Sequence, residues 1–197
     1  MNQTDFSLAD KWKNYFDLGM NYGGQGKLRK AARCFLKAID IAPTEPYPHY
    51  ELGYTLTLLG NFRGALREFL RTDDMSPAFL QVQTEIFICN GLLAGKLCSE
   101  IIPAVRTIQH CIDIGQFEGR EATEIALSLI KIAPNCPLSY FYLSIALADS
   151  EPAMQESALR RCLALNPDDT TAIYACARLI CLLRNDNRDT QADELCA

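Results

Sequence analysis

The chain has 197 residues, 49% of them hydrophobic and 22% charged, with a formal net charge of -5. That much apolar surface suits one domain or one repeat array, and it excludes disorder for the bulk of the chain. No apolar run approaches the ~20 residues of a membrane span, and Met1-Asn2-Gln3-Thr4-Asp5 lacks the basic stretch and apolar core of a secretory signal.

In chain order, Tyr15, Leu18 and Tyr22 recur at spacings of three and four, which predicts a first helix with one apolar stripe. Gly19 falls inside that helix, where Gly costs about 1 kcal/mol relative to Ala, so a second helix is expected to cross closely there. Gly23, Gly24 and Gly26 supply the turn, and Ala31, Phe35 and Ala38 line the second helix, which ends at Pro43. The same succession returns 34 residues later: Leu18 falls on Leu52, Gly19 on Gly53, Gly26 on Gly60, Ala31 on Ala65, Phe35 on Phe69 and Pro43 on Pro77. His49 takes the aromatic place of Tyr15, so packing explains it better than catalysis. Residues 78–94 predict a further first helix, with Gly95-Lys96 as its turn.

Pro103 then breaks the register. Between 97 and 118 the expectation is an irregular junction, either a short helix near 97–102 with a new one from Pro103, or one long helix kinked there. Regularity returns with a second-type helix at 118–132 closed by Pro134, a helix from Pro137 to Asp149 with Tyr140, Leu143 and Leu147 on one face, and another from Pro152 to Leu165. Asp168-Asp169-Thr170 offers capping oxygens for a last helix running to about Arg184. The polar stretch Asn185-Asp186-Asn187-Arg188-Asp189 is expected to be a loop and a frayed terminus. The organisation expected is therefore 1–96 as regular repeats and the start of a third, 97–118 as the junction, and 119–197 as degenerate repeats with a capping helix.

The recurring pattern of an aromatic, Leu-Gly, an aromatic or Leu, Ala, Phe, Ala and a closing Pro resembles the tetratricopeptide repeat, a helix–turn–helix unit of 34 residues. The resemblance implies an all-α fold, a right-handed αα superhelix whose concave face binds peptides. It also implies that the first helix of each pair lines the groove. On those helices the candidate contacts are Lys13, Phe16, Asp17, Met20, Tyr47, Tyr50, Glu51 and Tyr54, with Gln81 and Glu85 in the third unit. Tyr47, Tyr50 and Tyr54 keep helical spacing off the stripe of Leu52 and Leu56, and with Phe16 and Met20 they would form an aromatic floor. Co-chaperones of this family grip a partner's terminal carboxylate with Lys, Asn and Arg. The matching places here hold Phe16, Met20, Glu51, Gln81 and Glu85, so a more apolar peptide is the expected ligand.

Charge and cysteine set the surroundings. Residues 1–80 carry ten Lys/Arg against nine Asp/Glu, and 81–197 carry nine against fifteen. By that count the basic stripe of a nucleic-acid binder is missing, so neither nucleic acid nor an anionic membrane is an expected partner. The nine cysteines are odd in number and lack a Cys-x-x-Cys pair; most fall where a helix would present an apolar face, so they read as small buried hydrophobes in a reducing cytoplasm.

The sequence offers little catalytic chemistry. Gly23-Gly24-Gln25-Gly26 follows a helix and lacks the Lys-Ser/Thr of a phosphate loop. His110 and Cys111 are helix neighbours pointing about 100° apart, and no third group orients them. Glu118, Glu121 and Glu124 form a solvated acidic face. The expectation is no enzyme, no cofactor and no metal. A protein or peptide partner remains, with a self-assembling scaffold, a chaperone-like binder or a regulatory part of an enzyme complex as alternatives.

Overall fold

The computed structural model describes residues 8–77, 82–117, 119–147 and 151–196, and all regular structure among them is helical. By internal packing the chain divides into two units, Met1–Ala94 and Gly95–Ala197.

The first unit holds α1 (Leu8–Gly24), α2 (Leu28–Ile41), α3 (Pro46–Leu58), α4 (Phe62–Met75) and α5 (Val82–Leu93). Two hairpins repeat one construction. Gly26 at φ 69° and Gly60 at φ 76° turn the chain left-handed after α1 and α3, a conformation in which a side chain would be strained. The next amides close both ends alike: Lys27 N–H donates to Tyr22 O at 2.9 Å, and Asn61 N–H to Leu56 O at 2.9 Å. Asn61 then caps α4, its side-chain oxygen accepting from Gly64 N–H at 3.1 Å.

The expected close crossing lies at Gly19 and Gly53. A Cβ on Gly19 would stand 2.5 Å from Phe35 Cε1, and one on Gly53 would stand 2.8 Å from Phe69 Cε1. Each Phe therefore fills the space that a glycine vacates on the facing helix. Ala31, Phe35 and Ala38 are buried, as are Ala65 and Phe69. One expectation fails here: Leu18 is 42% exposed. The spacing of three from Tyr15 placed it inward, but the face turned to Phe35 is that of its neighbour Gly19.

The second unit holds α6 (Ile101–Asp113), α7 (Gly119–Ile132), α8 (Pro137–Leu147), α9 (Pro152–Ala164), α10 (Asp169–Asn185) and α11 (Asp189–Glu194). Of the two expected forms of the 97–118 junction, the kinked long helix and the short helix near 97–102 are absent, while a helix with Pro103 in its first turn is present. Residues 97–100 are not helical, and one regular helix begins at Ile101 with Pro103 in its first turn. Proline is harmless there because the first amides of a helix have no intrahelical acceptor. Asp168 caps α10 as expected, accepting from Thr171 N–H at 2.9 Å. Residues 186–188 are non-helical within the expected loop, but the terminus departs from expectation, since 189–194 is a helix and not frayed. Ala192 is buried beside Leu159, Cys162 and Leu183, and Arg188 ties the turn before it to Glu156 at 2.6 Å.

Candidate functional site

Trp12, Phe16 and Met20 succeed one another at intervals of four on α1, so they share one face. Pro46 in the first turn of α3 fixes where that helix starts, and Tyr47 beside it reaches the same face. The rings form a chain: Trp12 to Phe16 at 6.0 Å and Phe16 to Tyr47 at 6.4 Å, both edge-on, and Phe16 to Phe35 at 5.8 Å. Phe16 is half-buried and links the core ring of Phe35 to the outer ring of Tyr47. Tyr47 is 48% exposed and Met20 45%. The charges of Lys13 and Asp17 flank this apolar strip, both exposed, with Lys13 Nζ lying 5.9 Å from the Trp12 ring centre.

The other candidate residues fall elsewhere. Tyr50 is buried and meets Phe69 edge-on at 5.6 Å. Val82 and Cys89 of α5 pack into the same cluster, with Tyr54 half-buried against it. Glu51 is half-buried, Glu85 is 3% exposed, and Gln81 lies outside the described residues. Of the three tyrosines only Tyr47 is exposed, because α5 covers the side of α3 that the helical spacing left open. Trp12, absent from the sequence candidates, belongs to the strip; its spacing of four from Phe16 was the available signal.

The histidine on α3 is engaged on both sides. His49 Nδ1 lies 2.7 Å from Glu68 Oε2 and Nε2 lies 3.1 Å from Pro43 O. A carboxylate and a carbonyl only accept, so both contacts are hydrogen bonds when both ring nitrogens carry hydrogen. Burial alone would raise the Glu68 carboxyl, but the His49 hydrogen bond and the nearby Arg71 charge outweigh it and hold the group below its ordinary range. Nδ1 faces Glu68 and Nε2 faces Pro43 O, so each ring nitrogen has a partner inside the first unit. Burial pushes the Cys89 thiol up to about 11 and that of Cys162 to about 12, which keeps both protonated and unreactive. Among the described residues no group of three His, Cys, Asp or Glu side chains is placed to hold a metal, and no helix is long and apolar enough to cross a membrane.

Tandem hairpins of antiparallel helices, with a core of interlocked glycine and phenylalanine, define an all-α helical-repeat protein. Proteins of this class serve in general as scaffolds for protein–protein interaction. The model of the family described as "Tetratricopeptide repeat" matches residues 13–45, and the second hairpin restates its anchors. Residues 13–45 are thus a tetratricopeptide repeat. A comparison with curated proteins gives no match. Among solved structures the chain is similar to MamA from residue 41 to its end, from Desulfovibrio magneticus RS-1, with 17% identity over 96% of this chain and 93% of that one at a TM-score of 0.43. It is also similar to PilF of Pseudomonas aeruginosa, with 13% identity over 95% and 90% at 0.42. A third is TTC0263, a thermophilic repeat protein of Thermus thermophilus, with 17% identity over 93% and 87% at 0.39.

Proposed function

We propose that the chain is a non-catalytic adaptor that binds a peptide segment of a partner protein across the first helices of its N-terminal hairpins. The strip made by Phe16, Met20 and Tyr47 carries this reading. Large apolar side chains there are half exposed at the edge of a packed core, and aromatic residues in such positions are common anchors of binding surfaces. Trp12 extends the strip. Lys13 and Asp17, exposed beside the strip, would orient the ligand at its rim. The segment that fits is apolar and supplies few carboxylates. The cysteine content supports a reducing, cytoplasmic setting for this adaptor.

A peptide-display selection on wild type and on a Met20→Ala, Tyr47→Ala variant tests the reading. Both side chains are about half exposed, so their loss leaves the core intact, whereas truncating Tyr50 would confound binding with unfolding. Enrichment of a shared apolar motif by wild type, lost in the variant at unchanged melting temperature, is the expected result. Equal enrichment by both proteins would remove the strip from consideration.

A further inference from the structure

The second helices of the first unit repeat more than their core. Arg29 recurs 34 residues on as Arg63, Arg33 as Arg67 and Leu36 as Leu70, and all six are exposed. Leu36 is 49% exposed and Leu70 46%. Intervals of four and three put each trio on one face of its helix, α2 or α4. Lys37 and Arg71 complete the two series; Lys37 Nζ lies 5.3 Å over the Tyr15 ring, and Arg71 reaches Glu68 at 3.1 Å. The four arginines before them have no carboxylate partner among the described residues. The charge count over residues 1–80 concealed this stripe, because it averaged over faces; the basic stripe expected to be missing is present.

Its arrangement has a cost inside the chain. Exposed helices gain from opposite charges four residues apart, as α7 does through Arg120 and Glu124 at 3.0 Å and α9 through Arg160 and Glu156 at 2.8 Å. On α2 and α4 the residue four places on from each of these arginines is another cation, which is repulsive. The same unfavourable spacing appears twice, beside the same exposed leucine. A ligand bringing carboxylates and apolar groups together would relieve both defects.

We propose that this face of α2 and α4 docks an acidic amphipathic helix from a partner protein. Carboxylates one turn apart on that helix meet the arginines, which bind them through two parallel N–H donors, and its apolar residues cover Leu36 and Leu70. A nucleic acid fits less well, because its phosphates would leave both Leu36 and Leu70 facing water. The surface lies on different helices from the Phe16–Tyr47 strip, so either can fail alone.

The test is a display library of helical peptides about five turns long, with polar positions open to Glu, Gln or Lys, selected on the full chain. Binding is then compared on an Arg33→Glu, Arg67→Glu variant and, separately, on Leu36→Ser, Leu70→Ser. The charge reversal sets one carboxylate between Arg29 and Lys37 and another between Arg63 and Arg71, so it does not lower helix stability, and an unchanged or raised melting temperature is the control. Supporting results are enrichment of Glu one turn apart together with Leu, affinity that falls with added salt, and a loss of about tenfold or more in the charge-reversed variant with a smaller loss in the serine variant. Selected peptides without acid enrichment, or with equal affinity for the reversed variant, would overturn the proposal. So would a single-stranded oligouridine of about 20 nucleotides that binds wild type more tightly than any selected peptide and loses the reversed variant. Self-association of wild type that the reversal abolishes would assign the face to a second copy and overturn it as well.

Discussion

The hairpin α3–α4 in the first unit and the hairpin α8–α9 in the second solve one packing problem with different chemistry. In each, the eighth residue of the first helix sits at the crossing: Gly53 in α3 and Ser144 in α8. The eighth residue of the second helix is Phe69 in α4 and Leu159 in α9, both fully buried. The first hairpin lets a ring occupy the place of a missing Cβ, with Phe69 Cε1 2.8 Å from where it would be. In the second, a smaller side chain leaves room for a hydroxyl and an amide. Ser144 Oγ donates to Phe141 O at 2.7 Å within α8, and Gln155 Nε2 donates to Ser144 O at 3.0 Å, linking α9 to α8. The glycine–phenylalanine pair is thus one means of bringing helices together, and a buried polar link is another.

Phe69→Ala should have the largest effect. Truncating a fully buried aromatic costs about 3–5 kcal/mol, and the crossing at Gly53 has no other group to fill the gap. Urea unfolding followed through the fluorescence of Trp12, the one tryptophan in the chain, reads this loss directly in the first unit. Leu159→Ala, read by far-ultraviolet circular dichroism, should cost about 2–5 kcal/mol. If the phenylalanine truncation proved the milder of the two, the interlock would not be the stronger device.

Glu68→Gln comes next, at about 1.5–3 kcal/mol for hydrogen bonds involving charged groups. The second unit has no counterpart with a histidine among the described residues. Because the folded Glu68 carboxyl lies below its ordinary 4.5, its contribution is fully present above pH 4.5 and is lost as pH falls through the folded value. Wild type and Glu68→Gln should therefore differ at neutral pH and converge in acid. A difference that holds constant down to pH 3 would mean that Glu68 acts through packing and not through charge.

Gly53→Ala separates the two crossings with a smaller perturbation. The new methyl group forces Phe69 to shift, at about 1–3 kcal/mol, offset by the roughly 1 kcal/mol that Ala gains over Gly in a helix. Ser144→Ala adds no atom where none stood before, and Gln155 bonds to the Ser144 backbone, which the change leaves in place. Thermal unfolding should show a clear drop for the glycine variant and less than about 1 kcal/mol for the serine variant.

How far these features could be read from the sequence follows the same division. The regular hairpins were legible because Gly19, Phe35, Gly53 and Phe69 recur at one offset and each has a single physical role. The second unit was less so, since Ser144 and Gln155 are polar residues whose burial no periodicity announces. Pro103 left two readings open because a proline breaks a helix interior but is tolerated in a first turn, and sequence alone did not say which applied. The binding strip was half legible. The spacing of Tyr47, Tyr50 and Tyr54 placed them on one side of α3, but it carried no information about α5 arriving to cover Tyr50. The arginine stripe lay open to the 34-residue comparison that found the core, and it was missed because charge was counted by segment and not by face.

The smallest expected effect concerns α11, whose six residues are too few to hold a helix in isolation. Arg188 anchors it, donating to Glu156 at 2.6 and 3.1 Å, and the Arg188 hydrogen bond leads the influences that hold the Glu156 carboxyl below its ordinary range. The guanidinium side chain is 33% exposed, so solvent screening keeps the contribution of the pair small. Arg188→Ala should leave global unfolding almost unmoved, with its effect confined to hydrogen exchange. Amides of 189–194 should exchange faster, while those of α9 keep their protection. That pattern would mark the tail helix as docked by one ion pair and Ala192, in contrast to the hairpins of the first unit, whose crossings are set by interlocked side chains. Retained protection at 189–194 would instead mean that the burial of Ala192 among Leu159, Cys162 and Leu183 holds α11 without the ion pair.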